Sequence, residues 1–179
     1  MNKIFELTEC QRTKILDEMK MFLVSAEFPI TKEGDDGPFS FIDTEFSHAS
    51  CSIPLRIVLD THENTVCISI GYGVIPSGKR RLVSELISRL NMLMVVNRFV
   101  LTPDDHVLNF TMGYWLASEE FDSGQFGISL QRLLVEYKKY TPLIAELLIT
   151  NNYPKQILEK YLGDELKEEM NVVPKEKMH

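Results

Sequence analysis

Three stretches of this 179-residue chain carry residues whose types and spacing could do chemistry. Gly73-Val74-Ile75-Pro76-Ser77-Gly78-Lys79 matches G-x-x-x-x-G-K, the pattern in which a glycine-rich turn cradles phosphate. Leu55-Arg56-Ile57-Val58-Leu59-Asp60 looks like a strand ending in a magnesium-binding aspartate. The match then fails. The position after Lys79 needs a hydroxyl and holds Arg80, and Pro76 removes one amide from the cradle. Asp60 also precedes the loop within a tight hairpin, whereas phosphate-loop enzymes use parallel strands. The segment reads as a loop entering a helix. Lys79, Arg80 and Arg81 at that helix start still raise the question of an anion, since free amides there attract one. Cations oppose the helix dipole at that end by a few tenths of a kcal/mol. Acidic side chains of this chain or a partner are the expected compensation, and a phosphate ligand or nucleotide held by Gly73 to Arg81 is the alternative.

His48, Cys51, His62 and Cys67 are zinc-ligand types within twenty residues. The strand register places Cys67 away from the hairpin tip that carries His62, and Cys51 is expected in the apolar face as a small hydrophobe. Asp104-Asp105-His106 is read as a solvated hairpin turn. There is no G-x-S-x-G nucleophile motif, and no cysteine lies in a basic setting. No catalytic residue, metal or cofactor is therefore expected, and the chain is read as not an enzyme.

Charge narrows the partners. Lys+Arg 19 against Asp+Glu 26 gives a net charge of -7, the opposite of what nucleic acid or an anionic membrane selects. Hydrophobic residues at 44% and charged residues at 25% are ordinary for a globular protein. Met1-Asn2-Lys3-Ile4-Phe5-Glu6 leads into no apolar signal core, and no run of about 18 apolar residues occurs. Three widely spaced cysteines, Cys10, Cys51 and Cys67, form no disulfide framework. A cytoplasmic, reduced protein is expected.

The elements follow from periodicity. Thr8-Glu9-Cys10-Gln11 is a capping box, and Ile15, Met19, Phe22 and Leu23 place a helix over 8–25. Its last turns, Met19 to Val24, are apolar nearly all round, so cover on more than one side is expected from the fold or a second chain. Residues 31–38 read as a polar loop and Phe39 to Phe46 as an edge strand, with Asp43 and Glu45 on the face of Phe39 and Phe41. A hairpin over His62-Glu63 sets Leu59 opposite Val66, Ile57 opposite Ile68, Leu55 opposite Ile70, Ile53 opposite Tyr72 and Cys51 opposite Val74. A helix over 78–97 faces Val83, Leu86, Ile87, Leu90 and Met94 inward. A second hairpin pairs Leu101 with Leu108 and Phe99 with Phe110, and leaves Trp115 on the face opposite Leu108, Phe110, Met112 and Tyr114. Asp122 starts a third helix with the stripe Phe126, Leu130, Leu133, Tyr137, Ile144 and Leu148, kinked or broken at Pro142. A short helix from Pro154 to about Gly163 precedes a charged tail expected to fray from Asp164.

These elements predict an α+β fold in two layers, with an antiparallel five-stranded sheet and helices mainly on one face. The order is α-β-β-β-α-β-β-α plus a C-terminal helical extension. Residues 1–150 read as one domain, and 151–179 as that extension and its charged tail.

From Leu86-Ile87-Ser88-Arg89-Leu90-Asn91 through Asn97-Arg98-Phe99, the hairpin and the helix ending Tyr140-Thr141-Pro142-Leu143-Ile144, the chain resembles the YbjN-like family of bacterial sensory-transduction regulators. That family is similar in fold to class I type III secretion chaperones, which are small, acidic and usually homodimeric. The extension after about residue 150 departs from the family's pattern. The resemblance implies a noncatalytic protein-binding or regulatory module and carries over no functional residue. The expected partner is another polypeptide, with a homodimer and a dedicated secretion chaperone as the narrower alternatives. The contact candidates are Met19, Met21, Val24, Phe39, Phe41, Phe46 and Trp115.

Overall fold

The first helix is set by its cap. In the computed structural model, which describes residues 7–116 and 120–171 with side chains through 163, the Thr8 hydroxyl accepts the Gln11 N–H at 3.3 Å. Gln11 Oε1 in turn accepts the Thr8 N–H at 2.8 Å, so two otherwise orphaned amides are satisfied at the start of α1 (Glu9–Ser25). Ile15, Met19 and Leu23, four residues apart, are its buried stripe. Among the described residues the fold leaves part of this end uncovered, because Met21 and Val24 are each 64% exposed.

Among the described residues six strands follow where five were expected. They are β1 (Ile30–Asp36), β2 (Phe39–His48), β3 (Cys51–Asp60), β4 (Thr65–Val74), β5 (Asn97–Leu101) and β6 (Val107–Trp115). They form one antiparallel sheet in the order β1-β2-β3-β4-β6-β5. The added strand is β1, in the stretch read as a polar loop. It has no alternation because only Ile30 and Gly34 are half-buried. It is made by backbone pairing with β2 across a turn at Gly37-Pro38, where Gly37 takes a φ of 60°. The edge strand on this side of the sheet is therefore β1, and β2 lies inside it.

Leu55, Ile57 and Leu59 face Ile70, Ile68 and Val66 as expected. The β3 ladder to β4 stops at Leu55, so Ile53 and Cys51 meet Phe46 and His48 of β2, not Tyr72 and Val74 of β4. Cys51 sits at the β2–β3 turn and is exposed, beyond the apolar face expected to bury it. Leu101 faces Leu108 and Phe99 faces Phe110.

A 3-10 turn (Ser77–Lys79) leads into α2 (Arg80–Leu93), which buries Val83, Leu86, Ile87 and Leu90. α2 ends four residues earlier than expected, since Met94 is already extended and Asn97 opens β5. α3 (Ser123–Ile149) starts on Asp122, whose carboxylate accepts the Gln125 N–H at 2.9 Å, and it runs unbroken through Pro142. Pro142 is exposed, while Tyr140, Leu143, Ile144 and Leu147 around it are buried, so packing on both sides holds the turn that lacks one backbone bond. α4 (Pro154–Asn171) continues past Gly163, where a stop was expected, and Ile157, Leu158 and Leu162 join the core with α1 to α3. The helix layer thus rests on the sheet face of Leu55, Ile57, Val66, Ile68, Ile70, Leu108 and Phe110.

Candidate functional site

The stretches that resembled catalytic motifs are engaged in holding the fold. Gly73 takes a φ of 95° at a bulge in β4, and Ile75 N–H donates to the His106 carbonyl at 2.9 Å. Lys79 N–H donates to the Pro76 carbonyl at 2.8 Å, Lys79 Nζ to the Thr150 carbonyl at the C-terminus of α3, and Arg80 Nε to the Ile75 carbonyl at 3.3 Å. Among the described residues, main-chain carbonyls and not acidic side chains of this chain accept from Lys79 and Arg80 at the start of α2. Asp60 Oδ1 accepts the His62 and Glu63 N–H groups at 2.9 and 3.1 Å, closing its own turn.

His48 and Cys51 face each other at one end of β3, while His62 lies in the turn at its other end, roughly 30 Å away along ten residues. Cys67 Sγ lies 3.1 Å from Thr111 Oγ1 on the outer sheet face. Among the described residues no group of three or more His, Cys, Asp or Glu could hold a metal ion. In the Asp104-Asp105-His106 turn, Asp105 accepts from the Thr102 hydroxyl and from the Val107 N–H at 3.3 Å. Those bonds, the Thr102 one foremost, hold its carboxyl below the usual range.

The seven expected contact residues divide between surface and interior. Met19 is fully buried, and Phe46 is half-buried with its ring 5.7 Å from that of Tyr137. Phe41 sits on the outer face between Arg56 and Lys32, 4.8 and 5.7 Å from its ring centre, and against Gly34. Arg56 is fixed there by a two-pronged bond to Asp43 at 2.6 and 2.8 Å. Phe39 is partly exposed at the start of β2. Met21 lines a cavity of about 490 Å³ with Phe22, Phe121 and Ser123, between α1 and the start of α3.

Trp115 forms the better-defined surface. It is 68% exposed at the end of β6 and walls a cavity of about 520 Å³ with Cys67, Thr111 and Gly113 on one side and Met94, Val95, Val96 and Arg98 on the other. Val95 is 91% exposed and Met92, nearby on α2, 85%. Met92, Val95 and Val96 were not among the expected contacts, because the helix expected over 78–97 ends at Leu93. Their signal was available, because all three fall off the 83-86-87-90-94 stripe yet are apolar.

The neighbouring edge of β5 is closed by a side chain. Asn91 Oδ1 accepts the Phe99 N–H at 2.7 Å and Asn91 Nδ2 donates to the Phe99 carbonyl at 2.9 Å. The amide thus occupies the place where another strand would pair.

No helix among the described residues is long and apolar enough to cross a membrane. No protein-family model matches the chain, and no curated protein matches it. One solved structure, the crystal structure of the ExsC-ExsE complex, is similar at 13% identity and a TM-score of 0.45, covering 78% of this chain and 96% of the other.

Proposed function

We propose that this chain is a noncatalytic protein-binding module of the YbjN-like type that recognises another polypeptide in the cytoplasm. The observation that carries this reading is the exposed Trp115, Val95 and Val96 lining one cavity, beside a β5 edge that Asn91 covers at Phe99. Large apolar side chains grouped on a surface are costly in water and mark contact sites. The motifs that could have served catalysis are engaged in turns and helix ends, which supports a role without chemistry. A dedicated type III secretion chaperone is the narrower form of the reading, and it adds a homodimer and a secreted client.

Affinity capture of the tagged chain from its native lysate, read by mass spectrometry, tests the proposal. One protein at near-stoichiometric yield is the expected result. A reproducible blank with an accessible tag overturns it.

A further inference from the structure

The cavity beside Trp115 has features that specify an occupant. Its walls are apolar at Trp115, Val95, Val96 and Met94, and its floor is lined by the small or polar Thr65, Cys67, Thr111 and Gly113. Arg98 is the one charged residue among the described residues that line it, and it is exposed. Its guanidinium, beside the exposed Trp115, Val95 and Val96, suits a carboxylate set next to an apolar contact. Asn91 already fills the hydrogen bonds of the β5 edge at Phe99, so an occupant is held by side chains in the cavity and not as an added strand at that residue.

We propose that this cavity docks an extended segment of a partner polypeptide in which a large apolar side chain, set against Trp115, Val95 and Val96, lies next to an aspartate or glutamate bound by Arg98. The inference rests on the protein-binding reading above and assigns it a surface and a sequence chemistry.

Trp115 is the only tryptophan of the chain, so its emission reports on this site alone. The test is selection of heptapeptides from a random display library on the immobilised full chain, followed by titration of recovered peptides against Trp115 emission. Two variants accompany it. Arg98→Gln removes the charge. Gly113→Val fills the cavity, and its added Cβ meets only the Val66 carbonyl at 3.8 Å, an ordinary contact in a strand that suits valine.

Recovered peptides are expected to pair Leu, Ile, Met or Phe with Asp or Glu and to change Trp115 emission saturably. Arg98→Gln should weaken them roughly tenfold or more, the loss of one charge-assisted bond. Gly113→Val should abolish binding without lowering the melting temperature. Recovery of no peptides, of peptides that leave Trp115 emission unchanged, or of peptides that bind either variant as tightly as the natural chain overturns the assignment. An emission change that tracks only the chain's own concentration also overturns it, in favour of a second copy. A partner captured from lysate that binds Gly113→Val undiminished leaves the protein-binding reading intact and removes this surface from it.

Discussion

Asn91 is the residue with the largest consequence for its size. Its half-buried amide makes both a donor and an acceptor bond to Phe99, holding α2 to β5 while covering the strand edge. Asn91→Ala leaves both Phe99 groups unpaired, so a loss of about 1–3 kcal/mol in urea unfolding is expected, with faster hydrogen exchange at the Phe99 amide than at Val100. Unchanged exchange at Phe99 would show that the amide pair contributes nothing. Gly34 has a comparable role on the other edge. A Cβ there would stand 2.8 Å from the Phe41 ring, so Gly34→Ala must displace that ring. A destabilisation of about 1 kcal/mol or more is expected by thermal melting. The leucine-asparagine step at 90–91 entered the sequence reading only through a resemblance that no family model supports, and its purpose was not legible. A side chain eight residues from its target in sequence gives no sign that it replaces a strand.

At the scale of elements, the β2–β3 turn stores strain. Ala49 and Ser50 hold φ of 49° and 65°, in a region that costs side-chain-bearing residues roughly 1–2 kcal/mol each. Replacing the pair with Asn-Gly, which suits a two-residue hairpin, is expected to raise stability by about 1–2 kcal/mol in chemical denaturation. No gain would mean that the turn is relaxed. Beside its buried Ile157, Leu158 and Leu162, α4 is tied to α3 by charge. Glu146 of α3 accepts from Lys160 at 2.5 Å and from Tyr161 and Asn152 at 2.9 Å, and the Lys160 bond foremost depresses its pKa. A carboxyl with a lowered folded pKa contributes fully above the ordinary carboxylate range, and the contribution is lost as pH falls through the lower folded value. Protection of residues 154–163 against hydrogen exchange should therefore fall below about pH 4 in the natural chain. In Glu146→Gln it should already be reduced at neutral pH and flat across that range. Equal profiles would remove Glu146 from the docking of α4.

The elements with alternating or 3.6-residue apolar patterns were legible in the sequence down to register, as the Leu55–Ile70 and Phe99–Phe110 pairs show. β1 was not, because an exposed edge strand buries almost nothing and its polar residues look like a loop. α4 beyond Gly163 was missed because a glycine ordinarily ends a helix. The candidate surface was legible in one residue, Trp115, and obscured in Val95 and Val96 by a helix drawn too long. Met19 was misplaced for the opposite reason, since an apolar end of a helix does not say which of its sides the fold covers.

For the whole molecule, a helix layer covers one sheet face and leaves exposed apolar side chains where α2, β5 and β6 meet. As proposed above, that region is made for another polypeptide. Native mass spectrometry of the chain purified gently from its own cells tests this most directly. The predicted spectrum contains the chain bound to one further polypeptide of a single, different mass. A spectrum showing only the chain and multiples of its own mass would contradict the account.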